Sequence, residues 1–438
     1  MLNLHSMKLA FVPAIMAATI AMPQRASASP ASGEASPPES AKTPYMLQYD
    51  PKDTRQFLGD MSTGAQNLYT LRLLLEHKAI EPASDKLGTR NTGGGRFLQA
   101  LVFDFPITLY SGGVMHEIWG HGAIAREFGC YPSYNLLHWG ESSDSDYACY
   151  ARLNKEQHIL GGTGGMEATQ YLGHFTFKQM MLRGQGSYAE ALMHVDLIGD
   201  TVNYLFNWGT PKTRLAPNPN EGNYDYPFKD GRGDIATYWT DMAYLRLERL
   251  KQSHSVKEIS DKNLWNGPNF PFGVLQFGAL WTSVLNPAFI HSAYHIGEYI
   301  ADGKTSYAMP RVLPATNFVL TPEGPDFYFR LPTRFGDKNP VLFDPYVRRT
   351  GNYSDNAYGT GFDLMGRQNS WLTWRAGGDT WKQFRGWGGG IRAGADIRIP
   401  NTNVILGADW SCKTFGYAFG QQEKAGCNAY LRFGWLNN

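Results

Sequence analysis

The chain has 438 residues, with 40 Lys and Arg against 39 Asp and Glu, a formal net charge of +1. That balance leaves no electrostatic footprint for nucleic acid, and the length is ample for a buried core in one large or two ordinary domains. Aromatic residues at 14% and 48 glycines form a combination that often accompanies β-rich envelope proteins, with glycines in turns and aromatics along an interface.

Residues 1–28 read as a secretory signal peptide. Lys8 supplies the positive n-region, 9–22 an apolar h-region, and Ala26-Ser27-Ala28 an A-x-A cleavage site. The apolar run is too short for a membrane span, and no cysteine follows it to carry a lipid. The mature chain is therefore expected to be exported. Residues 29–52 are expected to form a disordered leader, rich in Pro, Ser, Ala and Glu over 29–43. Residues 53–304 then show apolar spacing of helical type over 66–78, 95–129, 168–182, 189–208, 235–251 and 273–300. A long loop rich in Pro, Asn, Gly and Asp occupies 211–234. The glycine run at 93–95 reads as a flexible loop, and that at 161–165 as either a mobile edge to the site or simply a loop.

Near residue 305 the period switches to two. Ile391, Ala393, Ala395, Ile397 and Ile399 alternate with Arg392, Gly394, Asp396 and Arg398, and 403–410 follows across Pro400-Asn401-Thr402. Ala429, Leu431, Phe433 and Trp435 alternate at the end, and 317–320 with 326–331 read as a hairpin. The expected class is α+β: a mostly helical zincin-like region over 53–304, then an antiparallel β region over 305–438 with seven or eight short strands. That region is either a soluble or membrane-apposed sheet or a small outer-membrane barrel, the end Leu436-Asn437-Asn438 weighing against the barrel. Cys130, Cys149, Cys412 and Cys427 make an even set for an oxidising compartment. The pairs Cys130–Cys149 and Cys412–Cys427 close the shortest loops and are the expected disulfides.

Chemistry concentrates in His116-Glu117-Ile118-Trp119-Gly120-His121. Two imidazoles can hold a zinc ion, and a carboxylate beside the first can take a proton from metal-activated water. Five residues apart, the histidines stand about 140° from each other on an ordinary α-helix, against about 40° for a spacing of four. The pattern therefore requires a π-type bulge to return position i+5 to one face, and Gly120 makes such a distortion cheap. The alternative is a pair of hydrogen-bonded core histidines with Glu117 in solvent.

A catalytic zinc takes three protein ligands, and Glu167 is the expected third. Its alternative role is to complement a helix dipole. His174, seven residues on, shares its face and is a candidate substrate or outer-shell group. His194 and Asp196 compete as ligands, and Asp200 is a candidate for orienting a ligating histidine. His291, His295 and Glu298 at i, i+4 and i+7 form a second constellation on one helical face, with no carboxylate next to either histidine. Trp119, Tyr131, Tyr134 and Trp139 line either a pocket or a core. There is no G-x-S-x-G elbow and no P-loop.

The segment Met115 to Gly122 resembles the HExxGH motif of the dipeptidyl peptidase III family of zinc exopeptidases. The resemblance implies that His116 and His121 bind zinc, that Glu117 activates water, and that a glutamate on a later helix completes the site. It covers about eight residues, and the family's second, doubled-glutamate motif does not recur here. The continuation through Phe128-Gly129 is also similar to the tail of the site-2 protease motif, one residue out of step. The resulting expectation is an exported, peptidase-like zinc hydrolase, acting on a peptide substrate in the periplasm or at the outer membrane. The alternative is a non-catalytic envelope or outer-membrane β protein plugged or capped by helices.

Overall fold

The computed structural model describes residues 44–53, 55–135, 149, 152–207, 234–261, 272–351, 357–368, 371–383, 386–421 and 424–436. The expected signal peptide, the leader as far as 43, residues 211–233 of the long loop with 208–210 before it, and Trp139 lie outside the described residues.

The helical half begins with α1 (residues 61–87), which Asp60 caps by accepting the Thr63 backbone N–H at 3.0 Å. It passes through a π turn at Glu76–Ile80 and stops at Gly88, whose φ of 67° a side chain would strain. Next comes α2 (Gly93–Glu127), long and apolar enough to cross a membrane, with π turns at Ala100–Asp104 and Met115–His121. The π turn required by the histidine spacing is thus present. The glycine run at 93–95 is the first turn of this helix, not a loop.

The longest helix after it, α3 (Lys155–Arg183), starts from a capping box made by Asn154 and Gln157. The 161–165 glycine run, expected to be a loop, lies inside α3. The reason is packing: a Cβ on Gly120 would fall 2.5 Å from Gly165 Cα and 2.6 Å from the Gly164 carbonyl oxygen. Two helices meet there backbone to backbone, and the contact offsets the poor helix propensity of glycine.

The remaining helices are α4 (Tyr188–Asn207), α5 (Asp234–Ser253), α6 (Val256–Asp261), α7 (Phe272–Ser283) and α8 (Pro287–Asp302). A continuous helix over 273–300 does not form. Pro287 lacks an N–H, and Asn286 starts a new helix by accepting the Ala288 N–H at 3.0 Å.

The strands are β1 (Tyr45–Tyr49), β2 (Gln185–Ser187), β3 (Ser306–Ala308), β4 (Ala315–Thr321), β5 (Gly324–Arg330), β6 (Thr333–Phe335), β7 (Val341–Thr350), β8 (Tyr358–Gln368), β9 (Leu372–Gln383), β10 (Gly386–Arg398), β11 (Val404–Lys413) and β12 (Gly426–Trp435). Ten of them form one antiparallel sheet in the order β1-β12-β11-β10-β9-β8-β7-β5-β4, with β6 on β7, while β2 and β3 pair separately. The fold is α+β, and the sheet is open rather than closed into a barrel. Residues 45–49, expected in the leader, are a sheet strand, with Tyr45 opposite Trp435. Their sequence YMLQY is apolar and aromatic, unlike the Pro/Ser-rich stretch before it, and can bury surface.

Helix α3 packs along one face of the sheet, and its side chains join the strands. Gln170 accepts from Asn317 at 3.2 Å, and Lys178 bonds Asp363 at 2.8 Å. Both expected disulfides are formed, and Cys412 and Cys427 are direct partners across β11 and β12. The two bridges mark an oxidising, exported compartment.

Candidate metal centre

The π turn Met115–His121 brings the two imidazoles together, with ring centroids 4.8 Å apart. His116 Nε2 lies 3.0 Å, and His121 Nε2 3.4 Å, from one atom, Asp234 Oδ2. Asp234 is the first residue of α5. His116, His121 and Asp234 are the one group of metal-ligating side chains among the described residues whose donor atoms all lie within 4.8 Å of one another.

Outer contacts hold these donors in place. His121 Nδ1 lies 2.6 Å from the Gly161 carbonyl. That contact makes Nδ1 a protonated nitrogen and turns Nε2 towards Asp234. Asp200 Oδ2 stands 3.7 Å from His116 Nδ1, an ion-pair distance beyond hydrogen-bond reach. Tyr204, one turn further along α4, places its hydroxyl 3.0 Å from His116 Nε2. Burial alone would raise the Asp234 carboxyl. The His121 and His116 imidazoles override this and hold it well below the usual carboxylate range.

The donor set fits a zinc ion. A tetrahedral ion with bonds of about 2.1 Å separates its ligand atoms by about 3.4 Å, close to the two nitrogen-to-carboxylate distances here. Two imidazoles and a carboxylate are also the donor types of many catalytic zinc sites, which leave a fourth position open. Glu117 is half-buried on the same turn, and its charge acts on His121 and Tyr134.

Glu167, expected as the third ligand, is elsewhere. Gly165 is the residue of α3 that faces His116, where any Cβ would clash with the imidazole. Two residues on, Glu167 points about 200° further around the helix. It is buried and accepts the Gly420 backbone N–H at 2.7 Å. Burial pushes its carboxyl up to about 7. A group bound more tightly to its proton in the folded state stabilises the fold below its unfolded pKa of about 4.5 and ceases to as pH rises through about 7. Wild type is therefore expected to lose on the order of 3 kcal/mol between those limits. Urea unfolding of Glu167→Gln should show a flatter pH profile; an unchanged slope refutes this assignment.

The other expected residues sort by helix face. His174 does share the face of Glu167. It bonds Asp344 at 3.0 Å and lines a cavity of about 160 Å³ between α3 and the sheet, which none of His116, His121 and Asp234 reaches. His194 bonds Ser292 at 2.9 Å and stacks on Phe177, away from the metal centre. Asp196, two residues later, faces α2 near Gly112, so the pair shares no site. His295 bonds Glu298 at 2.5 Å and stacks on Tyr307 at 3.8 Å, with His291 beside it. Together they form a hydrogen-bonded and stacked cluster on α8. Trp119 is a core residue whose Nε1 donates to the Leu58 carbonyl at 2.7 Å. Tyr134 packs against the same core, while Tyr131 is exposed under Arg55.

Asp234 escaped the sequence reading because no fixed spacing ties it to the motif. Its one signal is position, as an acid closing the long polar loop where a helical pattern opens. Compared with known proteins, the chain matches no family model, no curated protein and no solved structure.

Proposed function

We propose that this chain is an exported zinc-dependent hydrolase of the cell envelope, periplasmic or outer-membrane, with peptide-like substrates. The observation that carries the reading is the convergence of His116 Nε2 and His121 Nε2, from the π turn, on Asp234 Oδ2 of α5. Zinc bound there would supply Lewis-acid activation of a water molecule near neutral pH. Glu117 is assigned the proton: its carboxylate accepts it from the attacking water and returns it to the leaving amine. Gly161 orients the His121 imidazole from behind, and the Asp200 carboxylate stands near the far side of His116.

A second reading, a non-catalytic envelope protein whose sheet is filled by a helix, draws support from α3 lying along the sheet. It also draws support from Asp234 partnering both imidazoles by itself. Elemental analysis of the mature protein separates the two. Wild type is expected to hold about one zinc, lost in His121→Ala and retained in Glu117→Gln. Absence of zinc from all three would leave the non-catalytic reading.

A further inference from the structure

The sheet is sided in the opposite sense to that of a water-soluble protein. On its inner face, Arg375 bonds Asp396 and Asp409, Arg432 bonds the same two acids, and Arg392 bonds Asp363 and Asp379. On its outer face, the cross-strand register lines up rows without a charge. Ile397, Leu406 and Phe433 form one row across β10, β11 and β12, Ala395, Ala408 and Leu431 the next, and Ala393, Trp410 and Ala429 a third. Ile391, Leu431 and Phe433 are each more than half exposed. Antiparallel sheets in water present the reverse arrangement, apolar side in and polar side out. Soluble monomers rarely expose contiguous apolar patches beyond a few hundred Å².

Dimensions agree with a bilayer. Strands β7 to β12 have 10, 11, 12, 13, 10 and 10 residues, and a tilted strand needs about 9–11 to cross the hydrocarbon core. Exposed Trp371 and Trp387 stand at opposite ends of β9 and β10, where the chain would leave the core for the headgroups. The apolar belt continues past the β4 edge with exposed Phe277 and Trp281 on α7.

An open sheet in lipid must still satisfy its edges, since no water is there to do so. The β1 edge is capped by helix side chains, and on β4 two carbonyls are. At β1, Asn67 accepts the Gln48 N–H at 2.7 Å and donates to the Gln48 carbonyl at 3.0 Å. Gln66 donates to the Met46 carbonyl at 3.0 Å, and Thr70 accepts the Met46 N–H at 3.2 Å. At β4, Asn286 donates to the Thr316 carbonyl at 3.0 Å and Tyr238 to that of Thr321 at 3.3 Å.

We infer that the outer face of this sheet is lipid-facing: an incomplete barrel, closed by α1 and α7 instead of further strands, inserted in a phospholipid bilayer. The inference is independent of the metal centre. The test uses the full mature chain with vesicles of phosphatidylethanolamine and phosphatidylglycerol, floated and washed with alkaline carbonate. Wild type should stay with the vesicles. Leu406→Arg/Leu431→Arg should be retained at least about tenfold less, and Gln252→Arg, exposed on α5, as well as wild type. Because the double variant could fail by misfolding, a second readout uses acyl-chain-brominated lipid. It should quench tryptophan fluorescence in wild type and quench a smaller share in Trp410→Phe. Recovery of wild type in the carbonate supernatant, equal quenching in Trp410→Phe, or a detergent-free dimer that buries this face would each overturn the inference.

Discussion

Asp234→Asn is expected to abolish stoichiometric zinc binding, whereas Glu167→Gln leaves it intact. Asparagine keeps the shape of the side chain but removes the anionic oxygen that both imidazoles face at 3.0 and 3.4 Å. Losing an ordinary outer partner of a ligand costs about 10–100-fold in affinity, and losing one of three ligands should exceed the upper end of that range. Asp200→Asn, which touches only the far nitrogen of His116, belongs within it. Glu167 cannot take part, because Gly165 occupies the turn of α3 that faces the histidines. Competition against a chromogenic chelator ranks the variants. Full zinc in Asp234→Asn together with loss in Glu167→Gln would overturn the ligand set and restore the one expected from sequence.

Arg72→Met is expected to cost about 3 kcal/mol of stability, the lower end of what removing one partner of a buried ion pair costs. Arg72 is fully buried between two acids brought to it by separate π turns, Glu76 at 2.7 Å and Asp104 at 3.4 Å. The lower end applies because Arg90 remains 3.7 Å from Glu76 and would compensate one of the two carboxylates. Neutralising the acids as well, in Arg72→Met/Glu76→Gln/Asp104→Asn, should recover most of the loss, since no charge is then left stranded. Thermal unfolding of the single and triple variants measures both effects. A single variant as stable as wild type, or a triple variant no better than the single one, would show that the cluster is not a coupled ion network.

Much of the site was legible because its central demand is local. Histidines five residues apart cannot share the face of an ordinary α-helix, so a metal site at His116 and His121 predicts the π turn that the chain forms. The disulfides were legible for a similar reason, since short loops close easily and the chain carries an even cysteine set. Glu167 was a reasonable third ligand by spacing and helix order. It failed on a property spacing does not carry, the rotation of α3 about its own axis, which the close packing of Gly120 on Gly164 and Gly165 determines.

Features that depend on neighbours along the chain were readable from the residues alone: the helical first half, the period-two alternation of β10 and β12, the pairing of the cysteines and the distortion under the two histidines. Packing in three dimensions settled which acid meets the two histidines, which strand covers β12, how the β1 edge is capped, and that the apolar side of the alternation faces outward. Alternation says that two faces differ, but not which one meets the helices. That is decided when Lys178, Gln170 and the paired arginines and aspartates gather around α3, because charged groups removed from water need partners and the apolar face does not.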